Sequence, residues 1–177
     1  MRLGQSVLVL LLLFCAGCNT RGAVDPATAT LSEDSGYVLI GMRPDYMDVA
    51  IYTVDTNDGT VRYSYPATFS GSPEDGFILI KAPAGSSVAV TKAVVRAAVA
   101  GMGAYDPRCP AVFAIKGGKV SYATTMAFEP GGAFLLERRL QEFDAARAFM
   151  TKHYPRLAGA LELGQFKPMP LTKGGCG

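Results

Sequence analysis

His153 is the single histidine of the chain. A general base built on it would need a serine or cysteine nucleophile, and a zinc site would need further imidazoles or thiolates. It stands in Thr151-Lys152-His153-Tyr154-Pro155, behind a helical pattern and with no Gly-x-Ser-x-Gly turn in the chain. A cation there complements the carbonyl end of a helix dipole, so capping or surface packing is the expected role. Glu74-Asp75 is an adjacent carboxylate pair, which does acid–base work or holds a cation only where the fold sets it against further groups; solvated turn charges are expected. Asp55-Thr56-Asn57-Asp58-Gly59 falls one residue short of the spacing of a calcium loop and has Tyr65 where the Glu ligand belongs, so it reads as a hairpin turn. Gly101-Met102-Gly103 lacks the third glycine of a dinucleotide loop. Tyr63 and Tyr65, at period two, would share one strand face, where paired rings grip a sugar or peptide or pack across strands. These residues specify no metal, no cofactor and no catalytic constellation, and a non-enzymatic protein is expected.

Thiols remain. The chain opens Met1-Arg2-Leu3-Gly4-Gln5-Ser6, then runs apolar from Val7 to Ala16, which is the pattern of a signal peptide. Ten apolar residues in a helix rise about 15 Å, half of a bilayer's hydrocarbon core of about 30 Å, so this is not a membrane span. Ala16-Gly17-Cys18 resembles the lipobox of bacterial lipoprotein precursors, in which cleavage exposes a cysteine that takes the lipid. Cys15 stands where such boxes usually carry Leu; as a lipid site itself it is poor, since bulky Phe14 precedes it. The alternative is an ordinary secretory peptide cut near Ala23, with Arg21 awkwardly placed for that cut. The resemblance implies cleavage after residue 17, acylation of Cys18 and anchoring in a bilayer, stable because two or three acyl chains bury many methylenes. Asn19, in place of the Asp that commonly retains lipoproteins in the inner membrane, implies the outer membrane, facing the periplasm.

Export leaves Cys109 and Cys176 as one pair of thiols in an oxidising compartment, and a disulfide between them is expected. Net charge is +2, with Lys and Arg interspersed among Asp and Glu, so there is no electrostatic footprint for nucleic acid. About 160 residues after the signal suit one domain with its own core.

Residues 19–35 are small and polar and read as a lipidated flexible tether with Cys18; residues 36–177 read as a single domain. β-branched and aromatic runs at Gly36–Met42, Met47–Val54, Thr60–Tyr65, Phe77–Ile80 and Ser87–Val95 predict strands, the second and third joined as a hairpin through Asp58-Gly59. The small-residue stretch from Ala97 to Pro107 reads as a loop, with a short strand as the alternative. Ala111–Ile115 and Val120–Phe128, around Lys116-Gly117-Gly118-Lys119, read as a second hairpin, and Phe134–Leu136 as a short strand. Phe143, Ala146, Met150, Tyr154 and Leu157 recur at helical spacing, predicting a helix over about residues 140–154 that Pro155 stops; the tail from Gly164 reads as irregular.

The whole predicts an antiparallel β-sandwich of about seven to eight strands with one C-terminal α-helix. The phrases Ala82-Pro83-Ala84-Gly85 and Phe113 to Tyr122 resemble those of small uncharacterised bacterial lipoproteins with a transthyretin-like or carboxypeptidase-regulatory-like sandwich, over roughly Gly36 to Phe128. No catalytic residue comes with that resemblance. The expected function is a membrane-anchored envelope lipoprotein binding another envelope protein or glycan through an exposed sheet face or the Gly/Ala-rich loop; the alternative is a periplasmic enzyme or a glycan- or peptide-binding domain acting on cell-wall material.

Overall fold

The apolar run Val38-Leu39-Ile40 has no polar residue to turn toward water, and a strand of that kind is stable only with both faces covered. In the structure, a computed structural model that describes residues 21–95, 104–105, 108–128, 134–137 and 142–172, that run is the heart of β1 (Ser35–Arg43). On one side β1 pairs antiparallel with β5 (Phe77–Pro83), on the other parallel with β9 (Val120–Phe128). The free edge of β9 is shared by two short strands, β11 (Leu161–Leu163) at its start and β10 (Phe134–Glu137) at its end.

A second sheet is centred on β6 (Ser87–Val95), flanked by β2 (Met47–Asp55) on one side and by β7 (Ala104–Tyr105) and β8 (Ala111–Ala114) on the other. β12 (Phe166–Pro168) lies beyond β8, and β3 (Arg62–Tyr63) and β4 (Phe69–Gly71) beyond β2.

Side chains alternate across a strand, so β1 feeds two cores at once. Val38, Ile40 and Met42 meet Val49, Val90 and Phe113 of the other sheet, all at most 2% exposed. Tyr37 and Leu39 point the opposite way, where α1 (Phe143–His153) and α2 (Pro155–Ala158) cover them with Ala146, Phe149, Met150, Tyr154 and Leu157. The architecture is thus mainly β, with two stacked sheets and a short C-terminal helical layer on the outside of the first.

Several local expectations change. The sandwich is mixed, not purely antiparallel, because β9 runs parallel to both β1 and β11. The segment around Gly117-Gly118 is not a hairpin turn: β8 belongs to the second sheet and β9 to the first, so the chain crosses between layers there. Backbone crowding explains those glycines. A Cβ at Gly117 would stand 2.1 Å from the carbonyl oxygen of Glu33, and the amide of Gly118, at φ +65°, donates to the carbonyls of Ser32 and Ser35 at 2.8 and 3.1 Å. The third strand contracts to Arg62–Tyr63, and Ala104–Tyr105, read as loop, pairs with β6; residues 96–103 lie outside the described residues. Pro155, at the first turn of α2, both ends one helix and starts another, as its fixed φ allows. The tail is less irregular than read, since β12 satisfies its backbone on β8.

Residues 21–34, read as part of a flexible tether, are instead laid on the domain. Arg21 exchanges both backbone hydrogen bonds with Ser70 at 2.9 and 3.0 Å, Ala29 is buried, and the carbonyls of Val24 and Thr30 accept the hydroxyls of Tyr154 and Tyr37 at 3.1 and 2.8 Å. Low apolar content hid this, because the segment is held by backbone polar groups, buried Ala29 and half-buried Val24, not by an apolar period.

Candidate functional site

Two juxtapositions bear on function. The first is aromatic. Tyr52 lies on the outer face of β2, and antiparallel pairing of Val54 with Tyr63 brings β3 alongside. The ring of Tyr52 lies 5.5 Å from that of Tyr63 and 5.3 Å, edge-on, from that of Tyr65. Tyr63 and Tyr65 therefore do converge, but through Tyr52 and not as neighbours on one long strand. Tyr65 is 78% exposed, the largest exposure among the big apolar side chains described. The segment carrying it is pinned to β2 by Ser64 N to Thr53 O at 2.9 Å and by Thr53 N to the Thr68 hydroxyl at 2.8 Å. The rest of this face is covered: Val54, Val61, Ala89 and Val112 are buried beneath Met169 and Leu171, and Val61 N donates to Pro170 O at 2.9 Å.

The second is ionic. The turn between β4 and β5 presents Glu74 and Asp75 to the last turn of α1. His153 Nε2 is 2.8 Å from Asp75 Oδ2 and Nδ1 is 3.3 Å from Glu74 Oε1, while Lys152 Nζ is 2.6 Å from Asp75. The imidazole stacks on Phe149 at 4.6 Å. Glu74-Asp75 is thus an exposed pair of turn charges, as read, that in addition clasps the helix end. Both ring nitrogens face carboxylates, which holds the imidazole at the junction of α1 with the β4–β5 turn. Beside it, a cavity of about 260 Å³ is lined by Phe69, Phe77, Leu79, Phe149 and Tyr154, with Ser72 and Glu74 at its polar side. Burial, with the charges of Glu74 and Asp25, raises the Tyr154 phenol above its ordinary value. Among the described residues no group of three or more His, Cys, Asp or Glu is arranged to hold a metal.

A third cluster was not legible beforehand. The Tyr122 and Thr125 hydroxyls are 2.7 Å apart, Thr125 donates to Glu142 Oε2 at 2.8 Å, and Arg43 closes on the same oxygen at 3.3 Å. It joins the start of α1 to the first sheet. Gly41 makes room for it: a Cβ there would meet Thr125 Oγ1 at 2.3 Å. A threonine pair inside an apolar strand was the available signal, without any hint of its partners.

Carboxylates at both turns titrate low. Hydrogen bonds from the Thr60 hydroxyl and amide, with Arg62 beside them, hold Asp58 at about 2, and Lys152 first, then His153, lower Asp75. A carboxylate with a depressed folded-state pKa stabilises the fold above its unfolded pKa, here 3.8, and that contribution is lost as pH falls toward the folded value. The urea midpoint is therefore expected to be insensitive to these groups from pH 7 to 5 and to fall between pH 4 and 2. The Asp58→Asn, Asp75→Asn double variant should show a shallower fall; an identical acid profile would refute it.

Cys18 and Cys176 lie outside the described residues. Cys109 sits just before β8, and the C-terminal segment runs antiparallel past it, with Met169 N on Pro110 O and Leu171 N on Arg108 O, both at 3.1 Å. Among the described residues no helix is long and apolar enough to cross a membrane.

Compared with protein-family models, curated proteins and solved structures, the chain matches none.

Proposed function

We propose that this chain is the precursor of a lipid-anchored envelope protein, non-enzymatic, whose sandwich is held by acylated Cys18 at the periplasmic face of the outer membrane and recognises another envelope component. The observation that carries the reading is the sequence Ala16-Gly17-Cys18 at the end of a short apolar run. The described residues add support by what their polar groups do: His153, Glu74, Asp75, Arg43 and Glu142 are engaged in holding helix to sheet. The likeness to transthyretin-like sandwiches rests on two phrases that here form the layer-crossing segments after β5 and β8.

Mass spectrometry of the membrane-extracted product of the full-length precursor tests it. A mass matching cleavage before Cys18 plus diacylglycerol and an acyl chain is expected, with complete loss of lipid and of membrane association in Cys18→Ala. An unlipidated, soluble wild-type product would overturn the reading.

A second reading, a binding domain for a small apolar or glycan fragment, is favoured by the cavity between the β4–β5 turn and α1. Phe149→Trp would report occupancy by a change in emission on adding cell-wall fragments, and no change at millimolar ligand would dismiss it.

A further inference from the structure

The domain is fastened close to the point where the chain would enter the lipid. Only Asn19 and Thr20 separate Cys18 from Arg21, and Arg21 is already paired with Ser70 on β4. Three residues span at most about 10 Å, while the headgroup layer on each side of a bilayer is roughly 5–8 Å thick. A tether of that length leaves no room for the domain to stand away from the surface.

The same geometry selects the face that meets the surface. Next to Arg21, Gly22 lies so close to the chain entering β4 that a Cβ on it would stand 1.8 Å from Thr68 O. Three residues before Thr68 is Tyr65, the exposed member of the Tyr52, Tyr63 and Tyr65 cluster. Tyr is the residue type that settles at membrane–water interfaces, its ring against the acyl boundary and its hydroxyl among headgroups. Arg21, exposed on the same edge, adds a positive charge beside the phosphates.

We infer that the edge of the second sheet formed by β3, β4 and the connection between them, with Tyr65 of that connection foremost, rests in the headgroup region of the bilayer, so that the acylated protein is oriented on the membrane and not merely leashed to it. This rests on the lipoprotein reading above. The occupant of the tyrosine face is phospholipid.

The chain has no tryptophan, so a single one reports cleanly. Full-length precursors carrying Tyr65→Trp or Leu163→Trp would be expressed, purified with their lipid, checked by mass, and reconstituted in phosphatidylethanolamine–phosphatidylglycerol vesicles brominated near the top of the acyl chains. Leu163, 40% exposed on β11, lies at the far edge of the other sheet. Emission at position 65 is expected to fall by roughly half, the response of an indole a few ångströms from the acyl boundary, with little change at 163. Lipidated protein quenched at neither position, or equally at both, would overturn the orientation and leave the anchor standing. A product without lipid would overturn the anchor and the orientation with it. Circular dichroism matching wild type establishes that each variant is folded.

Discussion

Phe113→Ala is expected to lower the unfolding free energy by about 3–5 kcal/mol, seen as a large fall in the urea midpoint at unchanged slope. The ring is fully buried between the sheets, opposite Val88 on β6 and Phe166 on β12, with the Phe166 ring 6.0 Å away. β8 has only four residues and is held on both edges, so it has little freedom to collapse into the space the ring leaves. The transfer free energy of the ring and the cavity term therefore add. Stability of a domain this size is roughly 5–15 kcal/mol, which makes the loss a large share of the whole. Tyr65→Ala, at a ring mostly in water, should by contrast move the midpoint within the equivalent of about 0.5 kcal/mol. A Phe113→Ala loss below about 1 kcal/mol would show that the sheets do not pack there as described.

The second large effect is covalent. We expect Cys109 and Cys176 to be joined in the exported protein, and the double Cys109→Ser, Cys176→Ser variant to be about 4 kcal/mol less stable, on the chain-entropy view of a loop this long. The antiparallel run of Met169 and Leu171 past Pro110 and Arg108 lays the described end of the chain beside Cys109. Since β12 already holds the tail in the native state, the bond would act mainly by shortening the unfolded chain, so the denaturant slope should change along with the midpoint. Thiol labelling of the denatured, unreduced protein should give no adduct. Two adducts would refute the bond.

How far the residues announced this fold varies with the range of the interaction concerned. The strands at Gly36–Met42, Met47–Val54, Phe77–Ile80 and Ser87–Val95 were legible because burial of one or both faces is written into alternation or its absence. The helix was legible because Phe143, Ala146 and Met150 recur at its period, while Tyr154 and Leu157, read with them, reach the same core from the break after α1 and from α2. Partner choice was not. Lys116-Gly117-Gly118-Lys119 has the composition of a hairpin, and a glycine pair serves a layer crossing equally well; only Glu33, more than eighty residues upstream, decides between them. The ring cluster at Tyr63 and Tyr65 was half legible, since the third member, Tyr52, joins through strand pairing. Glu74, Asp75 and His153 were each noticed and their meeting was not, because it depends on where α1 lands on the first sheet.

The parallel pairing of β1 with β9 also sets an order of events. Tyr37 cannot find Val120, nor Met42 find Met126, until most of the chain has been made, and closing so wide a loop loses entropy before any contact repays it. The first strand synthesised is thus among the last to be completed, and until then Val38-Leu39-Ile40 is a bare, uncharged β-forming run with an unsatisfied edge. Late completion of this kind would suit the exported precursor proposed above, which would have to thread a membrane before it folds, and it makes β1 the segment from which aggregation of the unfolded chain would start.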